Sequence, residues 1–166
     1  EAARLPLESM LLSQATDDRK RLRRTFDPAF PFEMHAYCFP DCTPNLEQRL
    51  LNSHDYLELI IPTSGSGRFC MGSHTMEFAP GDLLVVENMK LHGVIESVGE
   101  HQSLVVFFQP ELVFHPGSAP CDYDFLSPFF GRQPTELPLL TRDAPTAAPI
   151  HRALIELLDA YLGPRD

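Results

Sequence analysis

The sequence predicts a mainly β protein, with short antiparallel strands in a sandwich or barrel and one C-terminal α-helix. Segments of strand length alternate with glycine and proline turns at about 54–62, 67–71, 75–78, 82–87, 93–98 and 103–109. Several short strands separated by such turns favour an antiparallel sandwich or barrel over a parallel sheet. Apolar residues recur at helical spacing in 146–162, and Gly163-Pro164 ends the predicted helix.

The length of 166 residues suits one domain with a single substantial core. We divide the chain into an N-terminal arm (1–29), a β-barrel (30–112) and a final part (113–166). That final part holds an irregular segment rich in proline and phenylalanine, and then the helix, which packs on the barrel or on a dimer partner. No apolar stretch is long enough to span a bilayer and no leader is visible, so we expect no membrane contact and a cytoplasmic location.

The net charge of −10 is unevenly distributed along the chain. Residues 1–24 hold six of the 13 basic residues and four of the 23 acidic ones, which leaves a strongly acidic body. Because such a body repels nucleic acid, we expect DNA contact only through a domain outside this chain. The cysteines show no metal-type spacing, and we expect reduced, buried thiols at Cys38, Cys42, Cys70 and Cys121.

The polar residues that stand out lie in and after the strand predicted at 54–62. Side chains alternate between the faces of a strand, so His54, Tyr56 and Glu58 share one face. His92 follows the strand predicted at 82–87. Two imidazoles and a carboxylate are a ligand set of iron and zinc sites. At the usual strand rise His54 and Glu58 lie about 13 Å apart, so both reach one ion only along a curved wall.

These residues resemble the motifs of the cupin family. The spacing of its first motif is followed by Asn52, His54, Glu58 and Gly65. Asn52 stands where the family has its first histidine ligand, and in the second motif only Gly81 and His92 match. The resemblance implies a double-stranded β-helix, which is an antiparallel jelly-roll barrel.

Three shorter motifs narrow the resemblance: H-x-Y-x-E-L at 54–59, G-D-L at 81–83 and FFQPEL at 107–112. They resemble the ligand-sensing domains of AraC-type bacterial transcription regulators. That resemblance implies a small-molecule effector, an arm that folds over the ligand, and a homodimer formed through the C-terminal helix. It also implies a DNA-binding domain beyond this chain and no catalysis.

Three interpretations of the site are open. The one we favour is a pocket for a small molecule such as a sugar, with no cofactor and no catalytic residue. Its ligand-binding residues are His54, Tyr56, Glu58, Arg68 and His92. The alternative is a cupin metalloenzyme, a dioxygenase or sugar isomerase, whose divalent transition metal is held by His54, Glu58 and His92. In the third interpretation the same residues only hydrogen-bond one another.

Overall fold

The computed structural model describes residues 7–9, 20–39, 51–130 and 138–163. Within these ranges the strands are β1 (Leu7–Ser9), β2 (Phe32–Phe39), β3 (Leu57–Met71), β4 (His74–Phe78), β5 (Leu83–Val86), β6 (His92–Phe108) and β7 (Leu139–Leu140). The α-helices are α1 (Ser127–Phe130) and α2 (Ala147–Leu162), and 3-10 turns cover Pro110–Leu112 and Pro120–Leu126.

The described strands form one sheet in the order β1-β2-β6-β3-β5-β7, with β4 paired to β3. Every pair is antiparallel except β1 with β2, which is parallel. The predicted mainly β fold with a C-terminal helix is therefore confirmed.

The two longest strands, β3 and β6, pair along their whole length. The sequence predicts each of them as two shorter strands separated by glycines, and the structure instead keeps each strand continuous through an irregular register. Gly67 shows why: a Cβ atom there would lie 2.1 Å from the carbonyl oxygen of Glu96 on the neighbouring strand. Glycine here allows close backbone approach and bending within the strand and does not end it.

The sheet buries apolar side chains on both faces. Ile60 and Val105 belong to an inner cluster on one face, and their neighbours Ile61 and Val106 belong to a helix-side cluster on the other. Full burial of an aliphatic side chain contributes about 1.5–3 kcal/mol, so the alternation fixes the register of these strands. The helix-side cluster is covered by α2 through Ile150, Leu154, Leu158 and Tyr161.

The predicted helix over 146–162 is confirmed, since α2 begins at Ala147 and ends at Leu162. Its apolar stripe docks on its own sheet, which is one of the two arrangements the sequence left open. In the described part of the chain no helix combines the length and apolar character needed to cross a bilayer.

Other expectations have mixed outcomes. The predicted irregular segment contains the 3-10 turn Pro120–Leu126, α1 and β7. The expectation of buried thiols is wrong for the described cysteines: Cys38 and Cys70 are half-buried and Cys121 is exposed, and none of the three belongs to either cluster. Most of the arm and the turns expected after Phe39, including Cys42, lie outside the described residues.

His101 is a buried ionisable group of the sheet. It lies in β6 with 1% of its surface exposed, and its Nε2 is 2.7 Å from the hydroxyl of Ser103. Burial lowers the pKa of His101 from 6.5 to about 4.

The stability of the fold should therefore fall as the pH is lowered from about 6.5 to about 4, because the unfolded chain takes up the His101 proton first. Between pH 7 and pH 5 this group contributes a loss of about 2 kcal/mol in the free energy of unfolding. Urea unfolding of wild type and a His101→Asn variant at the two pH values measures the effect. His74→Asn, at an exposed position, is the control. An equal pH dependence in wild type and His101→Asn would contradict this account.

Candidate functional site

The backbone brings together the two segments that carry His54 and His92. Asn52 and His92 exchange both backbone N–H···O hydrogen bonds, at 3.0 and 2.9 Å. The backbone N–H of Met89 donates to the carbonyl oxygen of His54 at 3.0 Å. Glu58 follows in β3, opposite Val86 of β5. These connections hold both histidines beside the start of β3.

His54, Glu58 and His92 form a compact buried cluster. The Nε2 atoms of His54 and His92 lie 2.7 and 3.2 Å from Oε2 of Glu58. All three side chains are buried, and one potential ligand atom from each lies within 4.8 Å of the others. We call this cluster the triad.

Both imidazoles of the triad use Nδ1 to hold themselves in place. Nδ1 of His54 lies 2.8 Å from the carbonyl oxygen of Tyr56, and Nδ1 of His92 lies 2.8 Å from that of Lys90. A carbonyl oxygen only accepts hydrogen bonds, so each Nδ1 carries a proton and donates it. In the neutral imidazole Nε2 then carries a lone pair. In that neutral state both lone pairs point at the Glu58 carboxylate, whereas with a proton on Nε2 each imidazole donates to it.

The Glu58 carboxylate is ionised over the physiological pH range. Burial alone raises the pKa of Glu58, but when both Nε2 atoms carry a proton, the hydrogen bonds that His54 and His92 donate and the charges of both outweigh burial and lower it to about 2. A buried carboxylate facing two nitrogen lone pairs is stable only if a positive charge lies between them, supplied by protons or by a cation. The donor set and its imidazole orientation suit a divalent transition metal.

Tyr56 is part of the wall next to the triad. Its ring stacks on His54 with 3.8 Å between centroids and 6° between planes. Burial, together with the charge of Glu58, raises the pKa of Tyr56, so the hydroxyl keeps its proton. Arg24 lies close enough to oppose this rise, yet the hydroxyl meets hydrogen-bond geometry with no described residue. The hydroxyl of Tyr56 is therefore a buried hydrogen-bond donor without an acceptor among the described residues.

The N-terminal segment contributes a cation that sequence reasoning missed. The guanidinium of Arg24 lies 4.1 Å from the ring centroid of Phe107 and hydrogen-bonds the hydroxyl of Tyr37 at 3.2 Å. It also forms an ion pair with Glu33 and lies 3.1 Å from Nε2 of His35. Burial raises the pKa of Glu33, but hydrogen bonds from His35 and Arg24 lower it overall. In the sequence, Glu33, His35 and Tyr37 alternate with apolar residues, and this pattern was the signal for a polar face of β2 that could hold a cation.

The structure brings together four of the five predicted site residues, His54, Tyr56, Glu58 and His92. His54 and Glu58 do not share one strand as predicted, because β3 begins only at Leu57 and the chain bends before it. Arg68 lies elsewhere: its side chain is 49% exposed and pairs with Glu96 at 3.4 Å. Register shifts in β3 turn Arg68 outward while Phe69 joins the inner cluster.

Comparisons with known proteins give weak similarity only. No protein-family model and no curated protein matches the chain. A solved protein from Photorhabdus luminescens is 19% identical over 49% of this chain and 66% of its own, with a TM-score of 0.43. A Salinispora arenicola protein described as a cupin 2 conserved barrel domain protein is 20% identical over 50% of this chain and 67% of its own, with a TM-score of 0.39.

A third similar structure comes from Ralstonia eutropha and is provisionally assigned as a mannose-6-phosphate isomerase. It is 19% identical over 48% of this chain and 75% of its own, with a TM-score of 0.40. Because these TM-scores are below 0.5, the similarities support no statement about what this chain binds. The fold described above rests on the chain's own strands and register.

Proposed function

We propose that this chain is a cupin-type metal-binding β domain in which His54, Glu58 and His92 hold one divalent transition metal ion. The observation that supports it is the convergence of three potential ligand atoms within 4.8 Å, with each Nδ1 in contact with a backbone carbonyl oxygen. Of the three interpretations drawn from the sequence, we therefore favour the metal site over the small-molecule pocket without a cofactor.

The competing interpretation is a hydrogen-bond network with no metal. It requires an extra proton on both Nε2 atoms, which makes two imidazolium cations around one carboxylate. Two neutral imidazoles, one carboxylate and one divalent cation carry the same net charge. In the metal-bound form each imidazole is neutral, with its one proton on Nδ1, where it donates to a backbone carbonyl. Imidazole and carboxylate are both suitable ligands for a divalent transition metal.

Three protein ligands leave part of the coordination sphere of a transition metal open to a small molecule. A divalent metal supplies Lewis-acid polarisation of an oxygen bound to it. The chain's own contribution is orientation and exclusion of water: Tyr56 is 1% exposed and stacks on His54. In this proposal its protonated hydroxyl donates to an oxygen of the bound molecule.

Metal binding is expected at one ion per chain for Mn²⁺, Fe²⁺ or Zn²⁺, because the triad offers one set of converging ligand atoms. Metal at 100 times its Kd should raise the free energy of unfolding by about 2.7 kcal/mol. Elemental analysis after chelator treatment and reloading, together with thermal unfolding, measures both effects.

The variants His92→Ala and Glu58→Ala should lose the ion, and His74→Ala should keep it because His74 is exposed at the β3–β4 hairpin. Circular dichroism checks that each variant is folded. Retention of a stoichiometric ion by folded His92→Ala would place the metal elsewhere and contradict the proposal.

A second candidate function is small-molecule sensing by an AraC-type regulator, with no catalysis. The favouring observation is that the N-terminal segment contacts the site wall: Arg24 packs over Phe107 and lies 6.0 Å from the ring centroid of Tyr56. In this proposal an effector changes the position of that segment, and the protein works in the cytoplasm as a homodimer. DNA contact belongs to a domain outside this chain.

A thermal-shift screen of sugars and aromatic acids tests the sensing proposal. A hit should bind Tyr56→Phe several-fold more weakly, because the buried hydroxyl donor is lost. Arg68→Gln is the matched control and should leave affinity unchanged, since Arg68 faces away from the triad. Hits that bind Tyr56→Phe as tightly as wild type would contradict a pocket at this place.

A further inference from the structure

A cavity lies between the start of β2 and the last turn of α2, on the helix side of the sheet. Its volume is about 360 Å³, within the range of small-molecule sites. The residues that line it are Phe30, Phe32, Leu157, Ala160 and Tyr161. None of these described residues is charged, so the lining offers apolar contact area and aromatic rings.

The aromatic rings of the cavity stand at angles to one another. The ring centroids of Phe30 and Phe32 are 5.5 Å apart with 46° between planes, and those of Phe32 and Tyr161 are 5.7 Å apart with 63°. Phe30 is 53% exposed, which leaves this ring accessible from solvent. Among the described residues, no arginine or lysine lies over Phe30 or Phe32. Ring faces carry negative partial charge, so this arrangement attracts a cation.

The surroundings of the cavity also favour positive charge. Ala160 lies in the last turn of α2, where the helix dipole and unpaired carbonyl oxygens give partial negative charge. Glu156 is exposed and precedes Ala160 by four residues, so the two are neighbours on the helix surface. Asp27 is exposed and pairs with Phe30 in a β-bridge. After Arg152, about 12 Å before Ala160 along the helix, α2 contains no further basic residue.

The extent of the apolar surface argues against a second copy of this chain as the occupant. A stable protein interface uses about 20–30 residues on each side, whereas few residues line this cavity. Leu157 and Ile155 are both exposed on α2, but two residues turn the helix by about 200°. They therefore do not form one apolar stripe. A small molecule suits the cavity better than a protein surface.

We propose that this cavity binds a quaternary ammonium cation with small apolar substituents. Such a cation has no N–H group, so it loses no hydrogen bond when it enters an apolar lining. Its positive charge interacts with the ring faces, and its methyl groups pack on Leu157 and Ala160. Glu156 and Asp27 add attraction from the rim. The site is separate from the triad and does not depend on a bound metal.

Choline and 3,3-dimethylbutan-1-ol test the need for charge, because the alcohol has the same shape without the charge. NMR titration of wild type measures both affinities. Choline should bind about tenfold or more tightly than the alcohol. Folded His92→Ala should bind choline as wild type does, which separates this site from the triad. Equal affinities for the two probes, or no choline binding at millimolar concentrations, would overturn the proposal.

Two variants test the position of the site. Phe30→Leu keeps an exposed apolar side chain but removes a ring, so it should weaken choline binding about two- to fivefold and leave the alcohol unaffected. Glu156→Lys should weaken choline binding at low salt. Glu77→Lys makes the same charge change in β4, which carries no lining residue, and is the control. Unchanged choline binding in Phe30→Leu, or equal losses in the two lysine variants, would contradict a site here.

Sedimentation velocity separates the small-molecule site from an interface between two copies of the chain. Leu157→Glu places a charge at the cavity and should leave the sedimentation coefficient unchanged. Phe30→Leu should leave it unchanged as well and replaces Leu157→Glu if that variant does not fold. Circular dichroism checks the fold of each variant. A wild-type dimer that either substitution converts to a monomer would assign the cavity to a second copy and overturn the proposal.

Discussion

The two Nδ1–H···O=C hydrogen bonds of His54 and His92 are the constraint on which the site depends. Each bond joins an imidazole to a carbonyl two residues away, so the ring orientation is fixed by local backbone. That orientation directs both Nε2 atoms at Glu58, so three potential ligand atoms face one point. Outer hydrogen bonds of this kind orient metal-binding histidines and fix their tautomer. The metal proposal follows from this constraint.

The sheet supplies what surrounds that point. Glu58 lies in β3, which pairs with β5 and β6, so the carboxylate is anchored at the centre of the sheet. The inner cluster excludes water on one side, and Arg24 covers aromatic side chains with a cation already balanced by Glu33. The opposite face of the sheet is occupied by α2. The helix α2 thus stabilises one face of the sheet, and the polar residues of the triad lie on the other face.

Local patterns predicted the type of most described elements. Strand alternation around Ile60 and the helical spacing in 146–162 reflect burial on one face, which a sequence shows directly. The continuity of β3 and β6 was missed because glycine marks a bulge and a turn alike. The outward position of Arg68 follows from those bulges and was equally inaccessible.

For the site, the sequence predicted the residues of the triad and the structure supplies their arrangement. The sequence places His54 and Glu58 on one strand, whereas the chain bends before Leu57, and Nε2 of His54 lies 2.7 Å from Oε2 of Glu58. The backbone pairing of Asn52 with His92 was also not predicted, because it joins two segments that are distant in the sequence. Arg24 was missed because its partners depend on how the N-terminal segment meets β2.

Anomalous diffraction from crystals of metal-loaded protein tests the central claim most directly. Data collected on both sides of the absorption edge of Mn²⁺ or Zn²⁺ locate the ion without reference to activity. The account predicts one peak per chain at about 2.0–2.3 Å from Nε2 of His54, Nε2 of His92 and a carboxylate oxygen of Glu58. A peak bound by other residues, or fully loaded crystals with no peak between these three atoms, would contradict it.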